Sequence, residues 1–217
     1  MKSPRKPLFM AGLALVVSLS QPPAAVGGVY EDLRAAAENN HTSDVAKLLA
    51  KGADPNTPDE GGNTLLMVAV RNNNAELVNI LVNAGAKLNL RNRHGETAIM
   101  LASYKGLGKI VETLYLNGAE INHKGWNPLL YAASGGHARI IELLLEGGVP
   151  VNATADNGTT SLMMAARGNH VEATRVLLKN GADPNMRNEW GKSALDWAMS
   201  KKNEELAALL KSSGARE

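Results

Sequence analysis

The stretch TSLMMAARGNHVEATRVLLKNGADPN, residues 160–185, carries the pattern that decides the fold of this chain. Leu162 and Ala165 lie three residues apart, so a helix would place both side chains on one face. The segment VEATRVLLKNG (171–181) places its apolar side chains on one side of a second helix. That segment ends at Gly181, and glycine supplies the left-handed backbone that commonly closes a helix. The stretch therefore predicts two short helices followed by a turn.

The same pattern recurs along the chain with a nearly constant period. The glycines that follow the leucine-rich segments are Gly52, Gly85, Gly118, Gly148, Gly181 and Gly214, at intervals of 33, 33, 30, 33 and 33 residues. One column is alanine in all six copies: Ala36, Ala69, Ala102, Ala132, Ala165 and Ala198. Another is leucine in all six: Leu48, Leu81, Leu114, Leu144, Leu177 and Leu210. Because a small side chain at every copy allows helices to approach closely, we predict a stack of six similar helix pairs.

The segments that open each first helix resemble a known signature. They are TLLMVA (64–69), TAIMLA (97–102), NPLLYA (127–132), TSLMMA (160–165) and SALDWA (193–198). They resemble the Thr-Pro-Leu-His-x-Ala motif of ankyrin repeats, and GADPN (52–56 and 181–185) is similar to the loop of that family. The resemblance covers residues 30–217 and implies an all-α ankyrin-repeat solenoid of six helix-turn-helix units with β-turn fingers. The implied repeats are approximately 30–56, 57–89, 90–122, 123–152, 153–185 and 186–217.

One position of the signature departs from the family in every copy. The residues at the signature histidine are Met67, Met100, Leu130, Met163 and Asp196. The family histidine bonds between neighbouring turns, and we expect methionine to fill that space by apolar packing instead. Histidine does occur at the start of the second helices, at His41, His137 and His170. There the resemblance implies structural hydrogen bonds.

Residues 1–27 predict a secretory signal peptide. MKSPRKP is basic, LFMAGLALVVSL (8–19) is apolar, and SQPPAAVGG is small and polar. The apolar run is too short to span a bilayer comfortably, and cleavage after Ala25 or Gly27 would suit the small residues there. The repeat domain is then 28–217. We therefore expect an exported protein. The favoured location is the periplasm of a Gram-negative bacterium, and secretion is the alternative. No membrane contact is expected after export. The alternative is an uncleaved anchor, which would make the protein a membrane-tethered scaffold.

Charge and composition argue against several function classes. Residues 1–30 contain three basic and no acidic residues, so 20 basic and 21 acidic residues remain, a formal charge of −1. A near-neutral body has no electrostatic attraction to nucleic acid. The chain has no cysteine, and it lacks the Gly-x-Ser-x-Gly, phosphate-loop and His-Glu-x-x-His motifs. We expect a non-enzymatic protein without a cofactor or a metal. An enzyme or small-ligand site near His94 and His123 remains an alternative.

The outward-facing columns hold the candidate binding residues. The resemblance implies a concave groove formed by the fingertips and the exposed side of the first helices. The residues expected there that suit binding are Arg71, Arg93, His94, Tyr104, Lys105, Trp126, Arg167 and Trp190. Tyr, Trp and Arg most often carry binding energy at protein interfaces. We expect a monomer that binds one protein partner, with Trp197 buried in the first-helix core. In the alternative, Trp126 and Trp190 only pack flat on the next finger.

The segment INHKGWNPLL (121–130) is three residues shorter than its equivalents. The deletion falls between Asn122 and Asn127, in the finger of the fourth repeat. We expect the neighbouring fingers to project further and to leave a notch floored by Gly125 and Trp126 and flanked by Tyr104 and Arg93. A partner side chain could insert into such a notch. The alternative is a neutral deletion in a tolerant loop.

Overall fold

A computed structural model describes residues 23–216 of the chain. The helices in this range are α1 (Pro23–Glu38), α2 (Thr42–Ala50), α3 (Leu65–Arg71), α4 (Ala75–Asn83), α5 (Ala98–Tyr104), α6 (Gly108–Leu116), α7 (Pro128–Gly135), α8 (Ala138–Glu146), α9 (Ser161–Arg167), α10 (Val171–Lys179), α11 (Ala194–Ser200) and α12 (Glu204–Ser212). Residues 1–22 of the predicted signal peptide lie outside this range, and the predicted cleavage positions fall within α1. In the described range, no helix combines the length and apolar character needed to cross a membrane.

The helices form two parallel rows. Each odd-numbered helix packs on the even-numbered helix that follows it, and each also packs on the next helix of its own row. The alanine column explains why the odd-numbered row is the more closely packed. Ala69, Ala102, Ala132, Ala165 and Ala198 are fully buried. The odd-numbered helices contact one another more extensively than the even-numbered helices do. We call their exposed side, together with the fingers, the inner face.

The leucine and glycine columns hold the second row in place. Leu81, Leu114, Leu144, Leu177 and Leu210 are fully buried, whereas Leu48 at the first repeat is half-buried. The six glycines of the repeat column all have φ between 81° and 94°. A side chain would be strained in that left-handed conformation, so glycine recurs where each second helix ends. The predicted all-α repeat solenoid of six helix pairs is confirmed.

The start of each first helix is capped by the signature residue. The hydroxyl oxygens of Thr64, Thr97 and Thr160 each accept a hydrogen bond from the backbone N–H three residues later. Ser193 does the same, and Asn127 accepts from two N–H groups through its Oδ1 atom. The methionines that replace the signature histidine are buried at 0–1% exposure. The predicted apolar packing at these positions is therefore confirmed.

Two histidines link neighbouring repeats. The Nε2 atom of His137 lies 2.8 Å from the carbonyl oxygen of Tyr104, and that of His170 lies 3.0 Å from the carbonyl oxygen of Ser134. Since a carbonyl can only accept, each Nε2 carries the proton and donates. His137 and His170 thus have the structural role that the resemblance implied. At the equivalent position of the second repeat, the Asn74 amide donates to Thr42 in the first.

The fingers are the turns between repeats, and we number each by the repeat that it opens. Fingers 2, 3, 5 and 6 are residues 59–63, 92–96, 155–159 and 188–192. In finger 3, the Asn92 N–H donates to the Glu96 carbonyl and the Gly95 N–H donates to the Asn92 carbonyl, at 3.0 and 2.9 Å. The same two bonds close fingers 2, 5 and 6. Finger 4 is the shortened segment 122–126.

Candidate functional site

All eight candidate binding residues are exposed. Tyr104, Trp126 and Trp190 expose 53%, 39% and 65% of their surface, which is unusual for aromatic side chains. Trp190 therefore does not lie flat as packing on another finger. Within residues 23–216, the side chains of Arg71, Arg93 and Lys105 form no salt bridge. Their positive charges are available at the surface.

Three aromatic rings form a first cluster across fingers and helices. The Tyr131 ring on α7 meets the Tyr104 ring edge-on, with centroids 6.4 Å apart, and meets the Trp126 ring edge-on at 5.7 Å. The Tyr131 hydroxyl donates to Glu96 Oε1 of finger 3 at 3.2 Å. Burial, together with the nearby Glu96 carboxylate, raises the pKa of Tyr131 from 10.0 to about 12. Tyr131 thus joins Tyr104 and Trp126 into one surface.

Tyr131 is not among the candidates predicted from the sequence. It is the variable residue just before the alanine of the signature, in a column whose other members in the second to sixth repeats are Val68, Leu101, Met164 and Trp197. This column varies among large side chains, while the next column is always alanine. That variation could have indicated a position directed towards the inner face rather than the interior.

A second cluster brings together all three tryptophans of the chain. Trp126, Trp190 and Trp197 line a cavity of about 50 Å³. The other lining residues are Asn157, Thr159, Met163, Met164, Arg167 and Asn188. The Arg167 guanidinium carbon lies 5.3 Å from the centroid of the Trp197 ring, which is cation–π geometry. The expectation that Trp197 is buried is wrong. It is only half-buried, because its column borders the inner face.

Finger 4 interrupts the row of fingers. Fingers 2 and 3 are joined by a backbone hydrogen bond, and so are fingers 5 and 6. The Arg93 N–H donates to the Gly61 carbonyl at 2.9 Å, and the Glu189 N–H donates to the Asn157 carbonyl at 3.1 Å. Within the described part of the chain, residues 122–126 form neither the two closing bonds nor a backbone bond to finger 5. The Asp156 N–H, equivalent to those of Arg93 and Glu189, has no partner there.

In finger 4, the carbonyl equivalent to those of Gly61 and Asn157 is that of Lys124, and it accepts a hydrogen bond within its own loop. The Nδ1 atom of His123 lies 3.2 Å from the carbonyl oxygen of Lys124, so the ring N–H donates to it. The His123 Nε2 atom is then buried without a partner among residues 23–216. The shortened finger has replaced a link between repeats with a bond inside the loop.

A link of a second kind is missing between the third and fourth repeats. At four other junctions, an asparagine side chain accepts from a backbone N–H of the next repeat: Asn56 from Lys87, Asn89 from Glu120, Asn152 from Asp183, and Asn185 from Arg216. The equivalent pair between the third and fourth repeats is Asn122 and Pro150. Proline has no N–H, so this bond cannot form.

A depression lies beside finger 4, but its floor and flanks are not those of the predicted notch. It has a volume of about 560 Å³ and lies between residues 122–125 of finger 4 and residues 153–156, which lead into finger 5. Gly125 lines it, whereas Trp126, Tyr104 and Arg93 do not. Trp126 belongs to the finger column that faces the first helices, as Glu96 does, and both contact Tyr131. The expected aromatic floor is therefore wrong, and the notch and the aromatic surface are separate features.

The remaining candidates do not converge. His94 is exposed, and its backbone N–H donates to the Asn92 side chain within finger 3. Between residues 23 and 216, no three His, Asp or Glu side chains are grouped so that they could hold a metal ion. The inner face therefore offers aromatic contact area and positive charge to a partner.

Comparison with known proteins bears on the whole stack. A family model described as ankyrin repeats (3 copies) matches residues 33–125, 109–188 and 129–216. No curated protein matches the chain significantly.

Proposed function

The chain belongs to the ankyrin-repeat family, and on that premise we propose that it is an exported protein that holds a protein partner on its inner face and thereby stabilises or inhibits it. Ankyrin repeats are protein–protein interaction modules, and the family is typically non-enzymatic. The single observation that carries the proposal is the exposure of Tyr104, Trp126 and Trp190 on one face of a stack whose other repeats place small or polar residues there.

The composition of the inner face supports this assignment. Binding hot spots are enriched in Trp, Tyr and Arg. The two aromatic clusters and Arg71, Arg93 and Arg167 place all three residue types on the surface of fingers and first helices. The equivalent columns of other repeats hold Ser134, Ser200 and Thr159. The fold therefore tolerates small residues at these positions, and packing does not require the aromatic ones.

A site-specific photo-crosslinking experiment tests the binding face. A photo-crosslinking amino acid replaces Lys105 on the inner face, and in a matched variant it replaces Glu112 on α6. Both residues are exposed and belong to the third repeat. In cells that produce the protein, we expect the position-105 variant to yield a discrete adduct with another protein and the position-112 variant to yield none. Adducts only from position 112 would contradict the proposal.

Export rests on the sequence of residues 1–27 and has a separate test. We expect mass spectrometry of the protein from producing cells to find a mature N-terminus at residue 26 or 28, in the periplasmic or secreted fraction. An intact Met1 in the membrane fraction would instead support the membrane-tethered scaffold. This outcome would leave the proposed binding face untouched.

A further inference from the structure

The cavity between Trp126 and Trp190 has the features of an anchor site for a single side chain. Met163 and Met164 are buried beside it at 1% and 8% exposure, so its inner wall is apolar and adaptable. Trp126 and Trp190 stand at its exposed border. Asn157, Thr159 and Asn188 are the neutral polar residues of its lining. A mainly apolar recess with a few polar groups is the usual arrangement of a small binding pocket.

The size of the cavity restricts what can enter. A water molecule needs about 10–15 Å³ of such volume. The observed volume of about 50 Å³ therefore holds roughly three to five non-hydrogen atoms. Leu, Ile and Met side chains have that size, whereas the rings of Phe and Trp are too large and the methyl group of Ala leaves the recess unfilled.

The charge of the lining restricts which residues of the partner can lie beside the inserted side chain. Arg167 is the only charged residue of the lining, and it lies over the Trp197 ring. Within residues 23–216 it forms no salt bridge. Lys192 of finger 6 is also exposed and forms no salt bridge there. A carboxylate close to the inserted side chain would pair with Arg167, and such charge-assisted bonds to guanidinium groups are strong.

We propose that this cavity, the tryptophan pocket, binds a protein segment that inserts one Leu, Ile or Met side chain and carries an Asp or Glu within two residues of it. The inference rests on the proposed function and specifies the chemistry of the partner. The pocket draws on the fourth, fifth and sixth repeats, through Trp126, Arg167 and Trp190. Trp126 also contacts Tyr131, so the pocket adjoins the Tyr104 and Tyr131 contact on the third and fourth repeats.

Selection from a random linear peptide library displayed on phage tests the pocket without knowledge of the partner. We expect peptides that bind the purified full chain to share Leu, Ile or Met beside an acidic residue. Because every tryptophan of the chain lines the pocket, we also expect a synthetic copy of such a peptide to change the intrinsic tryptophan fluorescence. Replacing the apolar residue of the peptide by Ala or Trp, or the acidic residue by its amide, should weaken binding at least about tenfold.

Matched protein variants locate the site. Trp190→Asn and Arg167→Ser introduce the residues found at equivalent positions in Asn157 and Ser134, so circular dichroism should show an intact fold. We expect each to weaken peptide binding at least about tenfold, while Leu116→Ala, at an exposed position of α6 away from the pocket, leaves it unchanged.

Three results would overturn the proposed pocket. The selection yields no peptide with a Kd below about 1 mM, which is about the weakest affinity worth interpreting. Alternatively, the selected peptides lack the acidic residue, or both pocket variants bind the peptide as tightly as the natural chain does. The proposed function fails differently. If the crosslink from position 105 persists while the peptides fail, the inner face binds a partner but the tryptophan pocket is not the anchor site.

Discussion

The junction between the third and fourth repeats is loosest in its finger and closest in its first helices. Finger 4 lacks the closing bonds and the neighbour bond that other fingers have, and Pro150 removes another link. Yet α5 and α7 make the most extensive helix contact among residues 23–216. Gly135 allows this approach, since a side-chain carbon there would lie 2.4 Å from the Tyr104 carbonyl oxygen. The helix rows therefore hold the stack together, while the fingers can change.

The largest effect should come from breaking the helix rows. Leu114→Ala on α6 removes a fully buried side chain of the leucine column, whereas Leu116→Ala removes one that is 73% exposed. We expect Leu114→Ala to lower the free energy of unfolding in urea by about 2–5 kcal/mol. The same substitution two residues away should cost less than about 0.5 kcal/mol. Equal losses would mean that the columns do not distinguish core from surface.

The next effect should come from the close approach of α7 to α5. Gly135→Ala places a methyl group against the backbone of Tyr104, and we expect it to lower the free energy of unfolding by about 1–3 kcal/mol. Gly108→Ala on α6 is the matched control, because its added carbon meets no atom within 4 Å. The control should be neutral or slightly stabilising, since alanine favours helices. A neutral Gly135→Ala would show that this junction is not tightly packed.

Completing finger 4 should change its dynamics more than its stability. Inserting Leu-Arg-Asn between Asn122 and His123 copies finger 3. Ordering three residues costs about 3–6 kcal/mol, and four or five new hydrogen bonds regain a similar amount. We expect the free energy of unfolding to change by less than about 1 kcal/mol.

Hydrogen exchange reports on the same insertion directly. In the natural chain, the Asp156 amide should exchange faster than those of Arg93 and Glu189, which donate to a neighbouring finger. In the insertion variant it should slow by about tenfold or more. If the natural Asp156 amide is already as protected as Arg93, the row of fingers is not interrupted.

The smallest effect concerns the contact between finger 3 and α7. The pKa of Tyr131 is raised to about 12. Because the folded value lies above the ordinary 10.0, the neutral phenol stabilises the fold below pH 10, and this contribution is lost as the pH rises towards 12.

Difference spectrophotometric titration against Tyr131→Phe measures this phenol, and its midpoint should lie near 12. Glu96→Gln should lower the midpoint only in part, because burial is the larger cause and the Glu96 charge the smaller. A midpoint near 10 in the natural chain would mean that finger 3 and α7 do not enclose Tyr131.

The sequence was sufficient for the repeat period, the buried columns and the exposed columns, because the same small set of contacts recurs in every copy. It was insufficient wherever a side chain depends on a neighbour of another repeat. Trp126 turns to Tyr131 rather than to the notch, and Trp197 meets Arg167 instead of the interior. The close approach at Gly135 cannot be read from the repeat period, because that column is not constant: the other copies have Asn39, Asn72, Lys105, Gly168 and Lys201.

The central claim is that the buried columns hold the repeats together, whereas the exposed residues of the inner face bind a partner. The most direct test measures stability and binding in the same variant. The triple variant Tyr104→Ser, Trp126→Thr and Trp190→Asn takes its new residues from equivalent positions in other repeats, namely Ser134, Thr159 and Asn157. It is combined with the crosslinker at position 105. We predict a free energy of unfolding within about 2 kcal/mol of the parent, because the replaced side chains are exposed, together with loss of the adduct. An undiminished adduct, or a variant that no longer folds, would contradict the account.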